Sequence, residues 1–285
     1  MNRHQFLSGL HERLEPRSYL EIGINDGRGL AQSRTRTIGV DPAFKVNVEL
    51  ACDLQLVKAT SDDFFAAPDP LAWFAHGAPD LAFIDGMHLF EFALRDFINT
   101  ERHSEPAGVI VLDDMLPRSV DEAARDRHTA AWTGDVYKVA MVLEQHRPDL
   151  TVVPLETAPT GLVLVVGLDP ANRTLTEKYD EILAEHVYDD PQRVPDSVMH
   201  RTDAADPEAV LANGAWAEVV LARSERRPAD PGALADLAAL RGSASYHLDP
   251  PHSKPWPPKK VAKKAAKKAA KKTASPPARR RLLRR

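Results

Sequence analysis

Three aspartates that follow two apolar segments are the strongest candidates for chemistry in this chain. Asp85 follows the apolar run 81–84, and Asp113 and Asp114 follow the run 109–112. If both runs are strands of a parallel sheet, their carboxyl ends meet at one crevice, where such sheets bind ligands. Carboxylates gathered there repel each other unless a cation offsets their charge, and an all-oxygen site suits Mg²⁺. The alternative is that these aspartates only cap the following helices.

A histidine three positions after the first of these aspartates is a candidate catalytic base. Histidine ordinarily titrates near neutral pH, so His88 could accept the proton of a hydroxyl group whose pKa a metal ion has lowered. Asp85 would belong to the same catalytic centre. The alternative is a hydrogen bond from His88 that only holds its loop in place.

The segment 19–41 has the pattern of a strand, a glycine-rich turn and a second strand that ends on an acid. An apolar run stops at Gly23, and two further glycines follow within six residues. Glycines let a backbone turn tightly, and an acid at the position of Asp41 can accept hydrogen bonds from both hydroxyls of a ribose. A dinucleotide-binding loop would have a glycine where this chain has Asn25. A purely structural turn is the alternative.

The glycine loop resembles motif I of the class I S-adenosylmethionine-dependent methyltransferases, which is an acid-x-Gly-x-x-x-Gly sequence. Glu21, Gly23 and Gly27 match that motif, and Asp41 stands at the place of the acid after the second strand. The resemblance implies that these four residues bind S-adenosylmethionine.

Two polar residues after the third strand are candidates for contact with the adenine of that cofactor. The third strand is expected within residues 46–66, without clear boundaries, and Ser61 and Asp62 precede an apolar helical stretch. In class I methyltransferases, polar residues at this place can meet the adenine. The alternative is an N-cap with acids in the first helical turn.

Two later segments are similar to a narrower group of bacterial methyltransferases. FIDGMHLFEFALRDF (83–97) and GVIVLDD (108–114) resemble segments of the group that includes the Mg²⁺-dependent sugar O-methyltransferases of macrolide and aminocoumarin pathways. The resemblance implies that Asp85, Asp113 and Asp114 bind the metal ion. It extends over about residues 18–185 and implies methyl transfer to a hydroxylated small molecule, such as a sugar or glycoconjugate.

The chain departs from that group beside the first aspartate. Met87 stands where the sugar methyltransferases have an acid that is a candidate base, so His88 is the nearest replacement. The segment WTGDVYKV (132–139) also resembles these proteins. Its Lys138 would be either a positive charge near the site or a solvated residue on a helix.

The order of these segments predicts an α/β fold with a Rossmann-like, seven-stranded, mostly parallel sheet. Helices would cover both faces, and the last strand would be antiparallel, as part of a hairpin over 152–166. An amphipathic helix within 1–17 is expected to cover the edge of the sheet. We expect a methyltransferase domain at 1–190, a helical or partly ordered appendage at 191–253 and a disordered tail at 254–285.

The tail 254–285 is strongly basic, with nine Lys, five Arg and no acid, whereas the other residues hold 23 basic and 41 acidic side chains. Its KKAA repeat leaves no apolar stripe for a core, so we expect disorder when it is free. Such a tail could bind nucleic acid or an anionic membrane surface, or it could serve only solubility. An alternative function is therefore that the protein binds nucleic acid or another polyanion through this tail. Its methyltransferase-like body would then have reduced catalysis.

The cysteine count and the apolar runs of the 285-residue sequence exclude several kinds of site and of protein. A single cysteine, Cys52, excludes a disulfide within the chain and a metal site built from several cysteines. The sequence contains no apolar run of membrane-spanning length and begins without a signal-peptide pattern. We therefore expect a cytoplasmic protein without a transmembrane segment, and assembly into a homo-oligomer is left open.

Overall fold

The computed structural model describes residues 1–242 and contains a seven-stranded sheet. The strands are β1 (Ser18–Ile22), β2 (Arg36–Val40), β3 (Asp53–Val57), β4 (Leu81–Ile84), β5 (Val109–Leu112), β6 (Thr151–Leu155) and β7 (Leu162–Val166). Their order in the sheet is β3-β2-β1-β4-β5-β7-β6. The first five are parallel neighbours, and β7 is antiparallel to both β5 and β6. The predicted Rossmann-like sheet with an antiparallel last strand is therefore confirmed.

Helices cover both faces of this sheet, which explains why β4, β5 and β7 are continuously apolar and buried. In residues 1–242 no helix combines the length and apolarity needed to cross a membrane. The helices are α1 (Arg3–Leu14), α2 (Ser61–Phe65), α3 (Phe90–Arg102), α4 (Lys138–His146), α5 (Thr174–Glu177), α6 (Tyr179–His186), α7 (Asp196–Met199), α8 (Pro207–Leu211), α9 (Ala215–Ser224) and α10 (Pro231–Ala238).

Helix α1 covers a face of the sheet, so the prediction that it covers the edge is wrong. Its buried residues Phe6, Leu7, Leu10 and Leu14 belong to one cluster with side chains of β1, β4 and β5. The connection between β1 and β2 contains only a short 3-10 turn, Leu30–Gln32, and therefore provides no long crossover helix. Helices α1, α8 and α9 pack together on this face instead.

The third strand is the edge strand β3. Its residues are exposed or half-buried, and Leu56 is 39% exposed. Because other elements bury little of this edge strand, its residues do not have to be continuously apolar. The sequence 46–66 therefore gives no clear boundaries for this strand.

Residues 191–242 add four short helices, α7 to α10. Trp216 and Val219 of α9 are buried in the same cluster as α1, and α10 lies against β6. The division of the chain between 1–190 and 191–253 remains a prediction. The predicted disordered tail, 254–285, lies outside the described residues.

Candidate active site

A cavity of about 710 Å³ lies at the carboxyl ends of the parallel strands. Residues that follow β1, β2, β4 and β5 line it, as expected for the crevice of an open parallel sheet. Three of the residues predicted from the sequence, Glu21, Gly27 and Asp113, are not among the lining residues. The predicted residues that do line the cavity are Gly23, Asp41, Ser61, Asp62, Asp85, His88 and Asp114.

Gly23 follows β1 at a point where only glycine fits. Its φ is +88°, and a Cβ atom there would lie 1.8 Å from the carbonyl oxygen of Asp85. Because β1 and β4 are neighbours in the sheet, the chain leaves both strands side by side. The absence of a side chain lets the glycine loop lie directly against the backbone that presents Asp85.

Asp41 holds the glycine loop through both of its carboxylate oxygens. Its Oδ2 accepts hydrogen bonds from the backbone amides of Ile24 and Asn25, each at 3.0 Å. Its Oδ1 accepts one from the amide of Ala43 at 2.6 Å. Since each carboxylate oxygen has two acceptor sites and three of the four are used, Asp41 keeps one site, on Oδ1, for a single further donor such as one ribose hydroxyl.

The start of α2 forms another part of the cavity wall. Thr60, rather than Ser61, is the N-cap, because its side chain accepts from the amide of Asp63. Asp62 pairs with Arg95 through both oxygens, at 2.9 and 2.7 Å. Ser61 and Asp62 both line the cavity, and Asp62 is fixed there by the arginine.

Glu21 and Gly27 shape the glycine loop from behind the cavity. Glu21 is buried, and its Oε2 accepts a hydrogen bond from the hydroxyl of Tyr19 at 2.7 Å. Burial raises the pKa of Glu21 to about 8. Gly27 packs against Val46, which would lie 3.0 Å from a Cβ atom at position 27. Both residues are thus placed to support the loop rather than to contact a ligand in the cavity.

Asp85, His88 and Asp114 form a compact group of metal-binding side chains. One ligand atom from each lies within 4.8 Å of the others. The Nε2 atom of His88 is 3.2 Å from Oδ1 of Asp85, and its Nδ1 atom is 3.2 Å from Oδ2 of Asp114. Thr160 holds Asp114 in place, because its Oγ1 donates to Oδ1 at 2.5 Å. Asp114 has a φ of +62°, a strained conformation that is common at functional sites.

Asp113 lies outside this group because Arg3 binds it. The Nη1 atom of Arg3 donates to Oδ2 of Asp113 and is 3.5 Å from Oδ2 of Asp85. Arg3 also lines the cavity. Arg3 is not among the residues predicted from the sequence, since nothing in the pattern of an N-terminal amphipathic helix connects its first residue with an aspartate 110 positions later.

The protonation of His88 is set by the carboxylates around it. Burial lowers the pKa of His88, but the hydrogen bond to Asp85 and the charge of Asp114 outweigh it and raise the pKa to about 9. Both ring nitrogens therefore carry a proton at neutral pH, and Nδ1 donates to the carbonyl oxygen of Trp132 at 2.7 Å. The proton on Nε2 must leave before His88 can accept one from a hydroxyl group.

Lys138 is fully buried and does not line the cavity, so neither description predicted for it is correct. Its Nζ atom donates to Oδ2 of Asp135, to the carbonyl oxygen of His186 and to Oε1 of Gln192, at 2.9, 2.8 and 2.6 Å. These hydrogen bonds compensate the burial of its charge and tie α4 to the segment that follows α6.

The sequence of residues 20–115 matches the family model described as "Methyltransferase domain". The matched residues include the glycine loop, Asp41 and the carboxylates at the ends of β4 and β5. Residues 20–115 have the sequence of a methyltransferase domain. The resemblance of its motifs to class I methyltransferases is confirmed by this match. No protein among the curated ones matches the chain.

Solved methyltransferase structures resemble this methyltransferase domain at low similarity. TomG, an O-methyltransferase from Streptomyces achromogenes in complex with SAM, is 18% identical over 59% of this chain and 80% of its own, with a TM-score of 0.42. An O-methyltransferase from Bacillus cereus in complex with SAH is 15% identical over 58% and 80%, with a TM-score of 0.41. The SAH-bound Podospora anserina methyltransferase PaMTH1 is 14% identical over 59% and 78%, with a TM-score of 0.43. The family match, and not these similarities, carries the identification.

Proposed function

We propose that the protein transfers the methyl group of S-adenosylmethionine to a hydroxyl oxygen of a small molecule, with the assistance of a divalent cation. The main support is that Asp85, His88 and Asp114 share one cavity with Gly23 and Asp41. A cofactor at the glycine loop and an acceptor at the carboxylates would be held side by side, which is the main requirement of a group transfer. The similarity to sugar O-methyltransferases favours a sugar or glycoconjugate as the acceptor.

We assign to each residue that is predicted to bind the cofactor a role that agrees with its position in the structure. Asp41 would accept one hydrogen bond from the ribose, and the loop after Gly23 would surround the amino-acid end of the cofactor. Ser61 and Asp62 would lie beside the adenine. Glu21 and Gly27, which lie behind the cavity, would keep the loop in shape.

The residues of the carboxylate cluster fit a divalent cation. Burial raises the pKa values of Asp85 and Asp113 to about 6, and repulsion from a neighbouring carboxylate adds to both shifts. A cation would relieve this excess of negative charge. The two carboxylates, Asp85 and Asp114, suit Mg²⁺. His88 would lie beside the ion as the base and would not be one of its ligands, because Nδ1 donates to the carbonyl of Trp132. A cation held there would lower the pKa of a bound hydroxyl group and stabilise the alkoxide that develops from it.

In the proposed reaction, the bond between methyl and sulfur breaks as the bond between methyl and oxygen forms. S-adenosylhomocysteine leaves, and the proton of the acceptor hydroxyl passes to a base. We assign His88 Nε2 as that base after it has released its own proton to solvent, because the carbonyl of Trp132 keeps the other nitrogen protonated and fixes the ring. Asp85, 3.2 Å from Nε2, would stabilise the imidazolium that results.

The test is methyl transfer by the full-length protein to sets of sugars and catechols, with formation of S-adenosylhomocysteine as the readout. We expect product with at least one acceptor, loss of product with a chelator and its return with Mg²⁺ or Mn²⁺. Asp114→Asn should abolish product, and Asp121→Asn, at an exposed carboxylate, should not. A rate unchanged by the chelator would contradict the proposed role of the cation. A lack of product with every acceptor would contradict O-methylation.

We also propose a polyanion partner for the basic segment 254–285, which carries nine Lys and five Arg. In the alternative function, polyanion binding by this segment is the main activity, and the methyltransferase-like body has reduced catalysis. Titration of the full-length chain with duplex DNA should give an affinity that falls steeply with salt. A lack of binding to both DNA and anionic vesicles at low salt would contradict this proposal.

A further inference from the structure

Arg3 places a positive charge beside the carboxylates that we propose as a cation site. Its guanidinium bonds to Asp113 and is 3.5 Å from Oδ2 of Asp85, and Asp85 is one of the three metal-binding side chains. Asp113 and Asp114 are consecutive residues, so the guanidinium of Arg3 and the proposed cation site interact with the same three neighbouring aspartates. Three carboxylates are therefore shared between one permanent cation and the proposed site.

The position of Arg3 is fixed by the backbone around it. Asn2 caps α1 in a reciprocal capping box with Gln5. The backbone of Asn2 pairs with Ala158, and the amide of Ala158 donates to the carbonyl of Met1 at 3.0 Å. These bonds connect the start of α1 to the loop that carries Thr160, which in turn holds Asp114. Arg3 is thus built into the wall of the site and does not project from a free terminus.

The guanidinium is also strongly held by its partners. Burial by itself lowers the pKa of Arg3, but the charges of Asp113, Asp85 and Asp114 outweigh that effect and raise the pKa above its ordinary value. The side chain is 22% exposed, so the interaction is only partly screened by water. A second cation next to Asp85 would be repelled by this charge.

We propose that Arg3 competes with a divalent cation for Asp85 and so lowers the cation affinity of the site that Asp85 and Asp114 form beside His88. This inference rests on the proposed function only in that it takes these two carboxylates as the cation site. Arg3 would act as a positioning residue that sets the occupancy of the site. With Arg3 in place, the cation is expected to bind weakly and to exchange readily.

The experiment is Mn²⁺ binding to the full-length protein, followed by the electron paramagnetic resonance signal of the free ion. Arg3→Gln keeps a donor toward Asp113 but removes the charge, and it should tighten Mn²⁺ binding by about tenfold or more. Arg3→Lys keeps the charge and should stay within about threefold of the natural protein. Arg13→Gln is the matched control on the same helix, at an exposed position, and should change nothing.

The same measurement can overturn the proposal. Equal or weaker Mn²⁺ binding by Arg3→Gln would contradict it, and so would a lack of binding by both proteins. Circular dichroism checks that each variant is folded, and Arg3→Met replaces Arg3→Gln if that variant unfolds. Because the readout is ion binding, it remains informative even if no methyl acceptor is found.

Discussion

The carbonyl oxygen of His88 lies 1.7 Å from the point where a Cβ atom on Gly134 would be. Gly134 has a φ of +61°, and two residues before it the carbonyl of Trp132 accepts the hydrogen bond from the ring of His88. The indole of Trp132 also stacks on that ring, with centroids 5.1 Å apart. The segment 132–134 therefore positions both the backbone and the imidazole of His88.

Replacement of Gly134 by alanine should displace His88 and impair both folding stability and methyl transfer. We expect the free energy of unfolding to fall by about 2–4 kcal/mol and the rate of methyl transfer to fall at least about tenfold. Gly77→Ala is the matched control, because its φ is +68° but no atom lies within 4 Å of the added Cβ. Urea denaturation and the formation of S-adenosylhomocysteine provide the two measurements. Equal losses in both variants would show that the contact with His88 is unimportant.

Removal of the imidazole itself should affect chemistry more than binding. His88→Asn should lower kcat by about 10²–10⁴-fold and leave the affinity for S-adenosylmethionine nearly unchanged, because our proposal places the acceptor, and not the cofactor, beside His88. The exposed His128, which bonds to a backbone carbonyl in a nearby loop, supplies the control variant His128→Asn. If His88→Asn kept kcat within about threefold of the natural protein, the base would have to be another residue.

The buried carboxyl of Glu21 should make stability depend on pH. Because its pKa is raised from 4.5 to about 8, the folded state keeps a proton that the unfolded state loses between these values. The stabilisation is complete below pH 4.5 and is lost as the pH rises through 8, with a slope on the order of 1.4 kcal/mol per pH unit.

Glu21→Gln isolates this effect, since it keeps the shape of the side chain and cannot titrate. The difference in free energy of unfolding between the natural protein and Glu21→Gln should move in favour of the variant from pH 5 to pH 8. Glu12→Gln, at an exposed position of α1, should show no such trend. A difference that stays constant over this range would mean that Glu21 is ionised in the folded protein.

The strand ends of the site were predictable from the sequence because the central strands are buried on both faces. Every residue of β4 and β5 is buried, so each strand forms an apolar run with an acid directly after it. The parallel arrangement then brings Asp85 and Asp114 to one crevice. The same reasoning placed Gly23 and Asp41 beside them.

The walls of the site could not be predicted in this way because they come from loops and from the N-terminal helix. The apolar spacing of α1 identified its buried residues but not the sheet face that they cover. The position of Arg3 beside the carboxylates therefore could not be predicted. Trp132 and Gly134 lie in a loop that has no regular period. The charge of His88 depends on three partners that are distant in the chain or meet only in the fold. Local patterns predict burial, whereas these contacts depend on tertiary structure.

The central claim is that the cavity beside Gly23 binds S-adenosylmethionine, and calorimetric titration of the cofactor into the full-length protein tests it most directly. We predict binding in the micromolar range that Asp41→Asn weakens at least about tenfold. Asp53→Asn, at an exposed acid on the neighbouring strand β3, should bind as well as the natural protein. An absence of binding by the natural protein, or equal binding by Asp41→Asn, would contradict the cofactor site that we assign.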